Sequence, residues 1–352
     1  MKPNRPYRED PEATRLLRVL RGCGDAFVST SDLVRVLKRP RRSVEKGLRR
    51  LRSLGCVLEE QASAGHRLLE VPDALRSEFV FSSGPEEPWG HPFHAYDSVT
   101  STNDLCHALA RNGAPEGAVV VAENQRKGRG RLGRSWASPK GKMLCFSLLL
   151  RPQLPPRRMS LLTLASAVAV AEALEEGRAN PGIKWPNDVE LDGRKVCGIL
   201  TEGQADPDRL HYAVVGVGIN LNVEPKDFPP ELREKAISLR EHLGRPVSRA
   251  AFFLTLLRRF REAYGLLAAG KGERLLKEWR LRSTVLGRQV RIRQGDRTLF
   301  GQALDVDAQG ALLVRTDWGF TEAVTAGDVE NLRLVDPASR RHRPVSATRG
   351  RL

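Results

Sequence analysis

The spacing of apolar residues changes twice along this chain of 352 residues, and the changes divide it into three regions. Residues 12–71 show the three- and four-residue spacing of amphipathic helices, followed by two short strand patterns. Between residues 92 and 283, apolar runs typical of strands alternate with helical patterns. Residues 285–335 contain only short alternating segments separated by turns with glycine. The chain is therefore predicted to be an α/β multidomain protein.

The first region predicts a winged helix-turn-helix over residues 1–75. Leu16 and Leu20 mark a first helix, and residues 29–31 offer an N-cap to a second. A third helix ends near Gly55, before two strands over residues 56–61 and 66–71. Three helices followed by a two-stranded wing is the element order of that DNA-binding motif.

The third helix region, residues 38–52, holds eight basic residues and a single acid, Glu45. This composition favours phosphate contacts by a helix in the major groove of DNA. The predicted DNA-binding residues are Arg41, Arg42, Lys46 and Arg49. A solvated face on a purely structural domain is the alternative. The net charge of +16 favours an anionic partner but does not identify it.

The remaining boundaries follow from composition. Residues 76–91 are rich in Pro, Gly and acidic residues and are predicted to be a linker. Residues 92–283 are predicted to form a mixed α/β core, and residues 284–335 a small β-barrel. The basic tail, residues 336–352, is predicted to be disordered.

Several classes of protein are excluded. The sequence has no run of 18 apolar residues and no apolar stretch after its basic N-terminus, so neither a transmembrane helix nor a signal peptide is expected. The five cysteines lie far apart without a CxxC, which argues against disulfides and structural zinc and favours the cytoplasm. His91 and His94 form an HxxH without further ligands nearby, and a turn beside Pro92 is the simpler interpretation.

The stretch GRGRLGRSW, Gly128–Trp136, is the most informative part of the sequence, and the wider span 125–142 contains no acid. Its glycines let backbone N–H groups approach an anion, and its arginines add charge and forked donors. Because like charges repel, we expect this loop to be mobile when empty and ordered by an anionic ligand. An RG-rich nucleic-acid tether is the alternative, whereas a P-loop is excluded because GK[ST] is absent.

Two further motifs suggest charged ligands. KWPND, residues 184–188, follows a strand and offers Asn187 and Asp188 as hydrogen-bond acceptors or groups near a metal, although a plain turn is equally compatible. Lys195 begins the strand pattern KVCGILTEG. A lysine among apolar neighbours needs an anionic partner such as a carboxylate or phosphate, unless it is simply solvated at the strand start.

Two other motifs suggest contacts with neutral groups. Ser101, Thr102 and Asn103 open a helix, where they serve either as an N-cap or as ligands of a neutral polar group. GVGIN, residues 216–220, lies at the end of a strand with no helix after it, so it is not a dinucleotide fingerprint. Its small residues fit the close approach of a flat ring to the sheet.

Taken in order, STN, Q-x-x-GRGRxGRxW, KWPND, K-x-x-GIL-x-E and G-x-GIN resemble, motif by motif, the bifunctional biotin–protein ligases that also repress the biotin operon. The match spans about residues 92–335. The resemblance implies a central fold related to class II aminoacyl-tRNA synthetases and an SH3-like C-terminal domain. It also implies biotin, ATP and Mg²⁺ as ligands, formation of biotinyl-5′-AMP, and transfer of biotin to a lysine of a biotin carboxyl carrier protein. Operator DNA is the second expected partner, a homodimer is left open, and no membrane partner is expected.

The resemblance also implies roles for individual residues. The expected biotin contacts are Ser101, Thr102, Asn103, Gln125, Arg129, Gly130, Arg131 and Lys195. The expected nucleotide contacts are Arg134, Asn187, Asp188 and Asn220. Lys195 and Arg131 are the expected catalytic residues, since their charge offsets the repulsion between a carboxylate and an α-phosphate. No Mg²⁺ ligand is assigned, and Ala236 stands where an adenine-stacking aromatic residue is expected.

Two alternatives remain at this stage. A lipoate-type ligase shares the acyl-adenylate chemistry, although GRGRLGRSW and KWPND favour biotin. A DNA-binding regulator that senses biotinyl-adenylate without transferring biotin is the other, and the intact Lys195 argues against it.

Overall fold

The computed structural model describes residues 5–331, and its first part contains three helices and a hairpin. These are α1 (Pro11–Gly22), α2 (Thr30–Leu37), α3 (Arg41–Ser53), β1 (Val57–Gln61) and β2 (Gly65–Glu70). The side chains of Asp10 and Ser29 accept backbone N–H groups at the starts of α1 and α2. The apolar stripes predicted from spacing meet in one core, where Leu16, Leu33 and Leu48 are buried. The order of elements is the one expected for residues 1–75.

The segment predicted as a linker, residues 76–91, requires a correction because part of it is core. It contains a short helix, α4 (Ser77–Val80), whose Phe79 and Val80 have no exposed surface. This helix packs against α1 and against a later helix at residues 249–268. The acidic, Pro- and Gly-rich composition lies mainly in residues 84–90, so an average over the whole segment concealed the three consecutive apolar residues Phe79, Val80 and Phe81.

The central part is one mixed sheet with helices on both faces. Its elements are β3 (Phe93–Tyr96), α5 (Thr102–Arg111), β4 (Val119–Ala122), β5 (Met143–Leu150), α6 (Ser160–Glu176), β6 (Gly182–Lys184), β7 (Asp188–Leu191), β8 (Arg194–Ala205), β9 (Leu210–Asn220), α7 (Leu239–Leu243), α8 (Arg249–Ala268) and α9 (Gly272–Arg282). The strand order is β3-β4-β5-β9-β8-β7-β6, and only β3 and β4 are parallel.

Alternate residues of the strands face opposite layers of this sheet. Val119 and Val121 of β4 pack into the core with α6 and α8, whereas Val120 and Ala122 pack with α5. The helix α6 is apolar on nearly every side, as expected for a helix that lies between the sheet and a second helix, α8. Helices therefore cover most of both faces of β4, β5 and β9, and the last residues of β9, from Gly216 to Asn220, are left for a ligand.

The last part is a five-stranded antiparallel sheet. Its strands are β10 (Gln289–Gln294), β11 (Arg297–Val306), β12 (Leu312–Thr316), β13 (Thr321–Val324) and β14 (Asp328–Asn331), in the order β13-β12-β11-β10-β14. It packs on the central part through bonds such as Trp185 Nε1 to the Gly310 carbonyl, at 3.1 Å. The predicted tail at 336–352 lies outside the described residues. Within the described residues, no helix is both long and apolar enough to span a bilayer.

A buried arginine joins the first and central parts. Arg249, 1% exposed at the start of α8, contacts Asp73 Oδ2 at 2.9 Å and Glu123 Oε2 at 2.7 Å. Glu123 also accepts the backbone N–H of Leu75 at 2.7 Å. Burial by itself would lower the pKa of Arg249, but the carboxylates of Glu123 and Asp73 outweigh it and the pKa is raised. The guanidinium is therefore charged, and two carboxylates from different parts of the chain depend on it.

Candidate active site

A cavity of about 410 Å³ lies between the edge of the central sheet and β14. Its size is in the range of small-molecule sites. All the residues expected to contact biotin or nucleotide line it: Ser101, Thr102, Asn103, Gln125, Arg129, Gly130, Arg131, Arg134, Asn187, Asp188, Lys195 and Asn220. Motifs that are far apart in the sequence thus converge on one space.

The start of α5 forms one end of the cavity. The side chain of Ser101 makes no capping bond to the helix, and Gln125 Oε1 instead accepts the backbone N–H of Thr102 at 2.8 Å and its hydroxyl at 3.1 Å. Asn103 is 5% exposed, and its Oδ1 lies 2.6 Å from Ser147 Oγ. The interpretation of Ser101 as a plain N-cap is therefore wrong, because Gln125 satisfies the start of the helix.

Acidic residues from outside the glycine–arginine loop hold its arginines. Arg129 makes two hydrogen bonds to Asp104 of α5, at 2.7 and 3.1 Å, and Arg134 pairs with Asp328 of β14. Although the span 125–142 contains no acid, its charge is compensated by the tertiary structure. The expected repulsion between the like charges of this loop is corrected accordingly, since that expectation considered only neighbours in sequence.

Lys195 and Arg131 reach adjacent residues of the KWPND motif. Lys195 Nζ lies 2.7 Å from Asp188 Oδ1, and Arg131 Nη1 donates to Asn187 Oδ1 at 3.2 Å. Burial lowers the pKa of the Arg131 guanidinium, while Asp328 and Asp188 act in the opposite direction. Two cations therefore flank the same turn, with Asp188 as the anionic partner that the position of Lys195 required.

The glycines of β8 and β9 permit a ring to lie against the sheet. A Cβ atom on Gly218 would lie 2.5 Å from the ring of Trp136, and one on Gly198 would lie 2.8 Å from it. Lys195 Nζ lies 5.4 Å from the centroid of the same ring. The expected approach of a flat ring to GVGIN is therefore present in the structure, and the ring is a tryptophan of the loop itself.

Asn220 has a different environment from the one expected. Its Nδ2 donates to the carbonyls of Ile237 at 3.0 Å and Lys195 at 3.3 Å. Lys195 is further joined to this segment by its N–H, which donates to the Lys235 carbonyl at 2.8 Å. The amide nitrogen of Asn220 thus supports the backbone around Lys195, and a contact of Asn220 with nucleotide remains a prediction.

Sequence reasoning missed several residues of the cavity wall. Phe228, Leu232 and Lys235 come from the segment between β9 and α7, and Asp328, Val329 and Glu330 come from β14. Phe228 was visible in KDFPPEL as an aromatic residue in a Pro-rich turn. The β14 residues carry no local signal, because only the packing of the last sheet brings them to the cavity.

Sequence comparison agrees with this site. The profile of the Biotin/lipoate A/B protein ligase family matches residues 95–220, and that of the Biotin protein ligase C terminal domain matches residues 285–330. The "Bifunctional ligase/repressor BirA" of Bacillus subtilis (strain 168) is 35% identical over 316 residues, 90% of this chain and 97% of its own. The chain belongs to the biotin protein ligase family.

Two other relatives agree with this membership. The "Biotin--[acetyl-CoA-carboxylase] ligase" of Mycobacterium tuberculosis is 35% identical over 240 residues, 66% of this chain and 86% of its own. The solved biotin protein ligase from Aquifex aeolicus in complex with biotin and ATP is similar with a TM-score of 0.58 and 30% identity, covering 68% of this chain and 97% of its own. The resemblance inferred from motifs is confirmed at the level of the family.

Proposed function

We propose that this ligase uses ATP to form biotinyl-5′-AMP and then transfers biotin to a lysine of a biotin carboxyl carrier protein. The convergence of the STN, GRGRLGRSW, KWPND and Lys195 positions on one cavity carries the proposal. Relatives named as biotin–[acetyl-CoA-carboxylase] ligases support the same activity. The DNA-binding regulator without transfer is disfavoured, since Lys195 and Arg131 are placed together at the KWPND turn.

The geometry suits the first step of this reaction. A biotin carboxylate oxygen attacks the α-phosphorus of ATP, the new O–P bond forms, and pyrophosphate leaves. Both reactants are anions, and positive groups at the point of attack lower the barrier. The contacts of Lys195 with Asp188 and of Arg131 with Asn187, two adjacent residues, support this role for the two cations.

The second step requires that the adenylate is protected until a carrier lysine arrives. The lysine amine attacks the acyl carbon, loses a proton, and AMP leaves. Arg129 and Arg134 tie the two ends of the loop to Asp104 and Asp328, so the closed loop would exclude water from the mixed anhydride. The apolar wall of Phe228, Leu232 and Ala236 is the surface available to the adenine ring.

The residues of the cavity can hold Mg²⁺ only together with the phosphates of ATP. Among the described residues, no three His, Cys, Asp or Glu side chains are grouped to hold a metal. Mg²⁺ commonly binds through one or two carboxylates together with substrate phosphates and water. Asp188, Asp328 and Glu330 are the carboxylates on the cavity wall. The ion would neutralise phosphate charge, and one of these side chains would hold it with the nucleotide.

Biotin-dependent exchange of pyrophosphate into ATP tests the first step, and transfer to a purified apo-carrier domain tests the second. Exchange and transfer with biotin are the expected results. Exchange without transfer would identify a sensor, and a preference for lipoate over biotin would identify a lipoate-type ligase. Absence of exchange with either acid would contradict the proposal.

The loop is expected to be a protease-sensitive segment that ligands protect. Trypsin should cut free protein between Arg129 and Arg134, because these residues are partly exposed. With biotin and ATP at about 100 times Kd, the open population and the cleavage rate should fall by up to about a hundredfold. Gel electrophoresis measures the rate, and cleavage at Arg209 in the exposed β8–β9 turn is the internal control. Equal protection at both sites would contradict an ordering loop.

We infer a second function, DNA binding by α3, from the direction of its basic side chains. Arg42, Lys46 and Arg49 are exposed on one face and have no ion-pair partner among the described residues. Arg50 points inward to Glu78, at 3.5 Å, and Arg41 pairs with Glu45 at 3.0 Å. Relatives named bifunctional ligase/repressor support operator DNA as the ligand. Arg41 is therefore the weakest of the four expected contacts.

The salt dependence of DNA binding should identify these contacts. The slope of log K against log salt concentration is about −0.9 for each phosphate contacted. The triple substitution Arg42→Ala, Lys46→Ala, Arg49→Ala should therefore flatten the slope by about 2.7 if each residue contacts one phosphate. Fluorescence anisotropy with a biotin-operon upstream fragment measures this slope. Arg209→Ala, on the exposed β8–β9 turn, is the control, and an unchanged slope in the triple variant would contradict DNA binding by α3.

A further inference from the structure

Glu202 on β8 lies just outside the cavity and has no part in the chemistry described above. Its Oε2 accepts a hydrogen bond from Asn103 Nδ2 at 2.7 Å. Asn103 lines the cavity, whereas Glu202 is absent from the wall. Any effect of Glu202 on a ligand in the cavity must therefore pass through a residue such as Asn103.

The amide of Asn103 is held at both ends. A carboxylate can only accept hydrogen bonds, so Glu202 requires the nitrogen of the amide on its side. The opposite end, Oδ1, lies 2.6 Å from the hydroxyl of Ser147. The amide rests directly on Gly216, where even a methyl group would overlap it. Glu202, Ser147 and Gly216 thus determine the orientation and position of Asn103, and the Leu200 carbonyl accepts a longer hydrogen bond from the same nitrogen at 3.5 Å.

Two further groups keep Glu202 negatively charged. His107 Nε2 lies 3.6 Å and Arg129 Nη2 lies 3.9 Å from Oε2. The polar contact with His107 is the main cause that lowers the pKa of Glu202 to about 2; burial opposes it, and Asn103 and Arg129 assist it. At neutral pH the group is therefore an acceptor and never a donor.

We propose that Glu202 is a positioning residue that selects the ureido head of biotin by fixing the orientation of the Asn103 amide. This inference rests on the proposed function and on the expected contact of Asn103 with biotin, whose neutral polar head is the ureido ring. A ureido group presents one carbonyl acceptor between two N–H donors, so the positions of the nitrogen and oxygen of Asn103 must match it. A rotated amide would place donor against donor, and buried sites discriminate strongly against such mismatches.

A double-mutant cycle tests whether Glu202 acts through Asn103. The four proteins are the wild type, Glu202→Gln, Asn103→Ala and the double variant, with Kd for biotin measured by calorimetry. Glu202→Gln should weaken biotin binding by about tenfold, the usual effect of losing a charged hydrogen-bond partner. In the Asn103→Ala background the same change should alter Kd by less than about twofold, because the group it positions is gone.

Comparison of two ligands separates an effect on the orientation of the Asn103 amide from a general loss of structure in the site. In 2-iminobiotin an imino nitrogen replaces the ureido oxygen, and the preference of the wild type for biotin over this analogue should fall in Glu202→Gln. KM for ATP and kcat of exchange at saturating biotin should stay close to the wild-type values. Glu202→Asp, which keeps the charge, should retain most of the preference and serves as the test if the Gln variant does not fold.

Asp206→Asn is the matched control, since Asp206 is an exposed carboxylate of the same β8–β9 hairpin that pairs with His211 at 2.9 Å. It should leave both affinities unchanged. Additive effects in the cycle, or unchanged affinities in Glu202→Gln, would overturn this inference alone. A wild type that does not bind biotin would contradict the proposed function and this inference with it.

Discussion

Lys195→Gln should reduce biotin-dependent pyrophosphate exchange by about two to three orders of magnitude, equivalent to about 3–4 kcal/mol of lost transition-state stabilisation. Lys195 supplies a positive charge beside Asp188, and glutamine replaces it with a neutral amide on a side chain that is one bond shorter. Initial-rate measurements of exchange at saturating biotin and ATP test this expectation.

The fold should survive this substitution, because the side chain of Lys195 is 35% exposed and is not part of the apolar core. Lys226→Gln is the matched control: Lys226 is 77% exposed and pairs with Glu224 at 3.4 Å, away from the cavity wall. Circular dichroism should give the same spectrum for both variants. Near-normal exchange by Lys195→Gln would remove Lys195 from the catalytic residues.

Arg249→Met should lower the free energy of unfolding by about 3–5 kcal/mol, since removal of one partner leaves buried carboxylates without a counter-charge. Of the two carboxylates that contact Arg249, Glu123 should lose more stabilisation, because its side chain is 9% exposed whereas that of Asp73 is 37% exposed. Urea denaturation at neutral pH measures the change.

Arg258→Met on the same helix provides the comparison. Arg258 pairs with Glu176 at 2.6 Å, but its side chain is 43% exposed. Exposed ion pairs contribute about 0–1 kcal/mol. An equal loss of unfolding free energy in Arg249→Met and Arg258→Met would show that burial of Arg249 does not account for its effect. The double variant Arg249→Met, Glu123→Gln should recover part of the lost stability, because it removes one of the buried carboxylates that no longer has a counter-charge.

Lys195 and Arg249 illustrate that some roles are recognisable in the sequence and others only in the structure. Lys195 was identifiable because its motif places a lysine at the start of an otherwise apolar strand. Arg249 carried no signal, since an arginine after Ser248 at a helix start resembles any solvated residue. Its role depends on Asp73 and Glu123, which are more than 100 positions away in the chain.

The sequence by itself determined the order of the elements and the chemistry of the cavity. Apolar spacing predicted α1 to β2, and glycines, arginines and Lys195 in their motifs indicated an anion-binding site, because these are properties of neighbouring residues. Only the tertiary structure decided the partners: Asp104 and Asp328 for the loop, Glu202 for Asn103, and the buried position of α4. Contacts between distant residues depend on the path of the whole chain, and no local pattern records that path.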